Sequence, residues 1–189
     1  MSDKPEFDLA YARRIAEAVV EELRPLAEQI EIVGSIRRRV AQVHDIDIVV
    51  MSLFDEIREG LWGTKRIDRV RECVLGWEAS GRVTIEVRGD KKMAFRTRAG
   101  ISVELYFAAP ILSGNPPVMV STWPTLKLIR TGSREHNIRL ARRAKEMGMH
   151  LHADGQGITD ARGRLLVVKS EEDIFRELGL PYVGPGERA

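Results

Sequence analysis

Val33-Gly34-Ser35-Ile36-Arg37-Arg38-Arg39, continuing through Val40 to His44 into Asp45-Ile46-Asp47-Ile48-Val49-Val50, decides how this chain is built. Two carboxylates separated by one isoleucine open an apolar run rich in β-branched residues, which reads as a strand. Alternate side chains of a strand share a face, so Asp45 and Asp47 point one way while Ile46, Ile48 and Val50 point the other. Two like charges held side by side are costly unless a cation neutralises them, and hard carboxylate oxygens suit Mg²⁺ when a polyphosphate supplies further ligands. The bland alternative is an edge strand carrying two solvated aspartates.

The residues just upstream favour the first reading. Gly34-Ser35 follows a short strand-like segment (Ile30, Ile32, Val33) and precedes a helical turn or two. A glycine and a small hydroxyl residue at that junction let backbone N–H groups approach a phosphate, and the helix start favours negative charge. Arg37 and Arg38 add guanidinium groups for polyphosphate oxygens. Anion donors and a carboxylate pair thus fall between residues 34 and 47, and a nucleoside triphosphate with its metal needs both.

Gly34-Ser35-x-Arg37-Arg38 with Asp45-x-Asp47 at this spacing resembles the palm signature of family X DNA polymerases, the group that includes DNA polymerase beta, within the nucleotidyltransferase superfamily. Thr131-Gly132-Ser133-Arg134-Glu135-His136-Asn137 is similar to that family's TGS-x-x-x-N segment, which lines the sugar and base of the incoming nucleotide. Glu172-Asp173-Ile174-Phe175, followed by Gly179-Leu180-Pro181-Tyr182, is similar to its closing segment. The three matches keep the family's order and span about residues 30 to 185.

The resemblance implies an α+β fold. A nucleotidyltransferase palm with a mixed sheet flanked by helices is expected at residues 1–110, and a small thumb-like α+β domain that selects the nucleotide at 111–189. The lyase and helix-hairpin-helix domains of larger members have no counterpart in this sequence, so a minimal palm-plus-thumb form is expected. The resemblance also implies a two-metal displacement in which Asp45 and Asp47 hold two Mg²⁺ ions (Mn²⁺ being an alternative) and Glu104 completes the site. Gly34, Ser35 and Arg38 are then expected on the triphosphate side and Thr131, Gly132 and Asn137 at the sugar and base, while His44, in the loop before the carboxylate pair, is expected near the nucleotide, the alternative being a solvated side chain. Expected partners are primer-template or gapped DNA and nucleoside triphosphates, with the chain a monomer acting in repair or gap filling during replication. The superfamily pattern alone also suits transfer to RNA, a protein or a small molecule, and Glu104 in the place of the third carboxylate motivates another alternative, nucleotide or DNA binding without catalysis.

One position departs from the family. Ile101 to Phe107 reads as a strand with Ile101, Val103, Leu105 and Phe107 on one face and Ser102, Glu104 and Tyr106 on the other. The resemblance places the third catalytic carboxylate here, normally an aspartate, and Glu104 stands in that place. Glutamate keeps the charge but moves its oxygens by roughly a bond length, and a misplacement near 1 Å costs about 100-fold.

Composition sets the wider bounds. At 189 residues with 43% hydrophobic content the chain can bury a sizeable core as one domain or two small ones. The charged N-terminus (Met1 to Phe7) lacks the apolar core of a signal peptide and no apolar run reaches about 18 residues, so a soluble, unexported cytoplasmic protein is expected. Cys73 is the only cysteine and reads as a buried, inert thiol. Net charge is only +2, yet Trp123 to Met147 carries seven bases against two acids. Arg134, Arg139, Arg142 and Arg143 are accordingly the candidate contacts to a nucleic-acid backbone, the alternative being a solvated helix face.

The periodicity predicts helices over Asp8 to Arg24, Phe54 to Leu61 and Ile67 to Leu75, then strands at 83–87, 93–98 and 101–107. Pro110 to Pro117 reads as a turn-rich connection. Helices follow from Ser121 or Thr122 to Gly132, from Ser133 to Met147, and from Ser170 to Leu178, with short strands near 149–152, 157–159 and 165–168. His150 and His152 would share a strand face, but no third zinc ligand stands at a suggestive spacing.

Overall fold

The computed structural model describes residues 5–59, 63–113 and 117–188. In chain order its elements begin with β1 (Phe7–Asp8), α1 (Leu9–Leu23), β2 (Ala27–Ile32), α2 (Gly34–Arg37), β3 (Gln42–Val43) and β4 (Asp45–Ser52). Next come β5 (Phe54–Glu59), β6 (Gly63–Asp68), α3 (Arg69–Ala79), β7 (Val83–Arg88), β8 (Lys92–Thr97) and β9 (Ser102–Phe107). The remainder is β10 (Pro110–Ser113), β11 (Val118–Ser121), α4 (Trp123–Thr131), α5 (Arg134–Glu146), β12 (His150–Leu151), β13 (Ile158–Thr159) and α6 (Glu171–Glu177). They form two compact units, one of residues 1–32 and 41–107 and one of residues 33–40 and 108–189. The division differs from a single cut at residue 110, because the Gly34-Ser35 segment packs with the second unit.

The first unit is built on a mixed five-stranded sheet in the order β2-β4-β9-β8-β7, in which β4 and β9 run parallel and the other neighbours antiparallel. Helix α1 forms because Asp8 caps it, accepting from the N–H of Ala10 at 2.8 Å, and because Ala12, Ala16, Val19, Val20 and Leu23 make one buried stripe. Pro25 turns its end into a short 3₁₀ segment. Helix α3, capped by Asp68, buries Val70, Val74 and Trp77, and the Trp77 ring meets Phe95 edge-on at 5.8 Å. Ile46, Ile48, Val103, Leu105 and Phe95, all fully buried, therefore belong to the helix-covered side of the sheet. Asp47, Glu104, Tyr106 and Lys92 belong to the other.

The expected helix over Phe54 to Leu61 is not there. Phe54–Glu59 is instead strand β5, paired antiparallel with β6, and Leu61 lies outside the described residues. Phe54 and Ile57 are three residues apart, which suits a helix face, but cross-strand partners decide the matter. Glu56 stands opposite Arg66, and the Arg66 guanidinium covers the Phe54 ring at 4.3 Å. The helix expected from Ile67 accordingly starts at Arg69.

The second unit opens with the β10–β11 hairpin where a turn-rich connection was expected, although Gly114, Asn115 and Pro116 lie outside the described residues. Pro110 takes the first strand position, where its missing N–H is tolerated. Leu128, Leu140, Ala144, Leu151, Ile158, Ile174, Phe175 and Leu178 make the core between α4, α5, α6 and the small β12–β13 pair. Ser133 caps α5, and Ser170 caps α6 in a reciprocal capping box with Asp173. Leu165 makes only a single bridge to Thr159, so the strand expected at 165–168 is reduced to that contact. Among the described residues no helix is long and apolar enough to cross a membrane.

Candidate functional site

In the first unit, Asp45 and Asp47 stand at alternate positions near the start of β4, both partly buried, on a strand whose Ile46, Ile48, Val49 and Val50 are fully buried. In the parallel register Asp45 faces Ser102 and Asp47 faces Glu104. Three carboxylates thus come from two adjacent strands and share one sheet face. Glu104 is already engaged. Lys92 Nζ lies 2.7 Å from its Oε2, and the Tyr106 hydroxyl donates to the same oxygen. Among the described residues no group of three His, Cys, Asp or Glu side chains is gathered as a metal site. The donor chemistry of Asp45 and Asp47 fits a hard cation, whereas Glu104 is turned to an ammonium and a phenol. His44, at the foot of β4, is about half exposed and stands 3.8 Å from Glu6 Oε1.

In the second unit the two distant motif segments are joined. Gly34 (φ +63°) starts the one-turn helix α2, a conformation that favours glycine, and the opening N–H groups of any helix have no intrahelical acceptor. Arg37 donates through Nη1 to Thr131 Oγ1 at 2.6 Å, and Arg38 donates to the Thr131 carbonyl. The Gly34-Ser35 turn and the Thr131-Gly132-Ser133 turn are therefore neighbours. Gly132 has φ +70°, a conformation that favours glycine, and a Cβ there would come within 2.9 Å of the Arg38 guanidinium, which would have to shift.

Arg37 is a structural residue and not a donor held ready for phosphate. It makes two bonds to Glu171, at 2.8 and 2.6 Å. Glu171 also receives Arg188 at 3.0 Å, and the Arg188 side chain is fully buried beside Phe175 and Tyr182. Burial pushes the Glu171 carboxyl up, but the bonds from Arg37 and Arg188 outweigh it and hold the group below the usual carboxylate range. The Thr131 side chain is likewise occupied, fully buried and donating to the Lys127 carbonyl at 2.7 Å. The Asn137 amide donates to the Ile129 carbonyl at 2.8 Å, while its Oδ1 is buried without a partner among the described residues.

Of the arginines on α5, Arg134, Arg139 and Arg142 are exposed. Arg143 is half-buried, with Nε donating to the Leu178 carbonyl at 3.0 Å. His136 is 3% exposed. Burial, then Arg188 and Arg139, push its pKa down to about 4 against weaker opposition from Asn137 and Glu171. His150 and His152 meet edge-on with ring centroids 4.5 Å apart, and no third ligand joins them among the described residues.

Sequence reasoning missed Lys92, Tyr106, Glu171 and Arg188. Only Tyr106 left a local signal, its place two residues from Glu104 on the same strand face.

The profile of the DNA polymerase beta thumb matches residues 127–189. A curated relative, the DNA polymerase/3′-5′ exonuclease PolX of Bacillus subtilis (strain 168), is 28% identical over 185 residues, which is 96% of this chain and 28% of PolX. The chain thus spans just over a quarter of that relative's length. Two solved structures of Leishmania infantum polymerase beta share the fold at 18% identity, one a ternary P/T complex and the other a ternary gap complex. The first has a TM-score of 0.70 over 98% of this chain and 77% of that one, the second 0.71 over 97% and 71%.

Proposed function

We propose that this family X polymerase-like chain transfers a nucleoside monophosphate from a nucleoside triphosphate to the 3′-hydroxyl of a DNA primer, as gap filling in repair or replication requires. The observation that carries this reading is the junction made by Arg37 and Arg38. Two segments more than 90 residues apart, each of a type suited to a nucleotide, meet at Thr131 within one unit.

The assignments follow from what each residue presents. Asp45 and Asp47 would hold divalent cations, because adjacent hard oxygens on one rigid strand fit Mg²⁺ and otherwise repel each other. Such cations supply the charge that stabilises the attacking and leaving oxygens of an in-line displacement. The α2 turn at Gly34 and Ser35, with the Arg38 guanidinium, would bind the β- and γ-phosphates. Gly132 and Asn137 would meet the sugar and base. Glu104 would help activate the primer hydroxyl, whose oxygen attacks the α-phosphate and displaces pyrophosphate. Exposed Arg134, Arg139 and Arg142 would contact the DNA backbone.

Primer extension on gapped, recessed and single-stranded DNA with Mg²⁺ or Mn²⁺ tests this, and extension of a gapped or recessed primer is the expected result. Asp45→Asn and Asp47→Asn should each abolish transfer with little change in stability, since removing one of two crowded charges relieves repulsion. Undiminished transfer in either variant would overturn the assignment. The hold of Lys92 and Tyr106 on Glu104 favours one second reading, nucleotide and DNA binding without catalysis. Binding without extension under every metal condition would establish it.

A further inference from the structure

The second unit contains a cavity of about 460 Å³ whose apolar wall has no part in the proposed reaction, although Arg139 and Arg142 in its lining are also the proposed contacts to a DNA backbone. It opens beside α5, and its wall includes Phe175, Leu180 and Pro181. His136 stands in that wall beside the Asn137 side chain, and neither of its ring nitrogens makes a hydrogen bond of ordinary geometry among the described residues. Neutral imidazole offers one N–H donor and one bare nitrogen acceptor, and leaving such groups unpaired in a buried site is costly. The edge of a nucleobase carries the complementary donors and acceptors.

Arg139, Arg142 and Arg143 also line the cavity, at i, i+3 and i+4 on one face of α5. The two acids of the lining have partners of their own. Glu146 lies 3.6 Å from Arg143, and Glu187 accepts the Gly184 N–H at 3.1 Å. A chamber that combines apolar Phe175, Leu180 and Pro181 with the His136 ring and three guanidinium groups matches a ligand with a flat heterocycle at one end and a dianion at the other.

We propose that this cavity binds a nucleoside monophosphate moiety, its base against Phe175 and Pro181 with an edge on His136 and its phosphate on Arg139 and Arg142. The inference is independent of the carboxylates of the first unit and of metal-dependent transfer. Free nucleotide and the 5′-terminal nucleotide of a DNA strand present the same chemistry.

The test is titration calorimetry in EDTA, using the Asp45→Asn/Asp47→Asn chain so that no transfer intervenes. Saturable one-site binding of dAMP is expected, at least about 10-fold tighter than that of inorganic phosphate or deoxyadenosine, each of which satisfies only half of the site. The His136 ring ¹⁵N resonances should shift on adding dAMP. Arg139→Ala/Arg142→Ala should weaken binding about 10-fold or more, and these exposed positions carry little risk to folding. His136→Phe should remove the preference for dAMP over phosphate. If that chain fails to fold, the arginine variant and the resonance shift still decide. Competition by a 5′-phosphorylated oligonucleotide, and not by its 5′-hydroxyl counterpart, assigns the site to a strand end, and its absence assigns the site to free nucleotide. The proposal is overturned by the absence of saturable dAMP binding, by binding that Arg38→Ala abolishes and Arg139→Ala/Arg142→Ala leaves intact, or by an acidic peptide that binds where dAMP does not.

Discussion

Lys92 Nζ lies 2.7 Å from Glu104 Oε2, and the Tyr106 hydroxyl reaches the same oxygen from the same strand as Glu104. An aspartate at that place, one methylene shorter, would draw back from both. If Glu104 takes a divalent cation as proposed, the ammonium competes with it for that carboxylate. Lys92→Met should lower the Mg²⁺ concentration that gives half-maximal transfer, with a stability change below about 1 kcal/mol because the pair is partly exposed. Glu104→Ala should reduce the single-turnover rate by about 100-fold or more. A metal titration unchanged by Lys92→Met, or a wild-type rate in Glu104→Ala, would show that Glu104 takes no part at the metal.

Arg37 and Arg38 are consecutive, yet Arg37 is held by Glu171 while Arg38, bonded to the Thr131 carbonyl, is the one proposed to meet phosphate. Arg37→Ala removes one of the two guanidinium groups that neutralise Glu171, whose side chain is 4% exposed, and breaking a buried pair of this kind costs about 3–5 kcal/mol. The expected result is a large fall in urea midpoint, with KM for the nucleoside triphosphate nearly unchanged at temperatures where the variant stays folded. Arg38→Ala should do the reverse, raising KM with a smaller loss of stability. If Arg37→Ala alone raises KM, the phosphate assignment belongs to Arg37.

Local pattern carried some of this and tertiary pairing the rest. Strands β7, β8 and β9 were legible because their apolar residues alternate, and the capped starts of α1, α5 and α6 because Asp8, Ser133 and Ser170 stand just before periodic runs. The β5–β6 hairpin was not legible, since the spacing of Phe54 and Ile57 is equally good on a helix and only the pairing with β6 discriminates. The same holds at the site. Asp45 and Asp47 stand out by residue type and shared face and Glu104 by the family resemblance, whereas residue type alone makes Arg37 a phosphate donor and its two bonds to Glu171 give it another partner. Its partner Glu171 lies 134 residues away, and nothing beside Arg37 in the chain announces a buried carboxylate.

His136 gives unfolding a specific pH dependence. Its folded pKa is pushed down to about 4, so the folded chain keeps the ring neutral while the unfolded chain takes up a proton as pH falls through about 6.5. Its contribution is complete above pH 6.5, declines between there and about 4, and levels off below. The window corresponds to about 3 kcal/mol for the one proton. Glu171, also held below its ordinary value, loses its contribution only as pH falls past the ordinary carboxylate range, so the two separate on the pH axis. Urea unfolding at pH 7.5 and pH 5 should show the loss in the natural chain and not in His136→Phe. An equal loss in both would place the titrating group elsewhere.

Sugar selection is the last consequence. In many family X polymerases an aromatic pair precedes the TGS segment and crowds the ribose 2′-position, whereas here Ile129 and Arg130 stand in those places. A branched aliphatic and a flexible cation present no flat wall to a 2′-hydroxyl. Backbone carbonyls at the turn are a second means of opposing that hydroxyl, but two of them have other partners. The Ile129 carbonyl accepts the Asn137 amide, and the Thr131 carbonyl accepts Arg38. Specificity is a difference of two affinities, and weakening the element that repels the wrong sugar reduces it. Ribonucleotides should therefore be rejected less strongly than in relatives that keep the aromatic pair, and Ile129→Tyr/Arg130→Phe should restore part of the discrimination. The measurement is kcat/KM for a ribonucleotide against its deoxy counterpart on one gapped template. A ratio of about 10⁴ or more in the natural chain, the size seen where a site reads a hydroxyl directly, would show that another group guards the 2′-position.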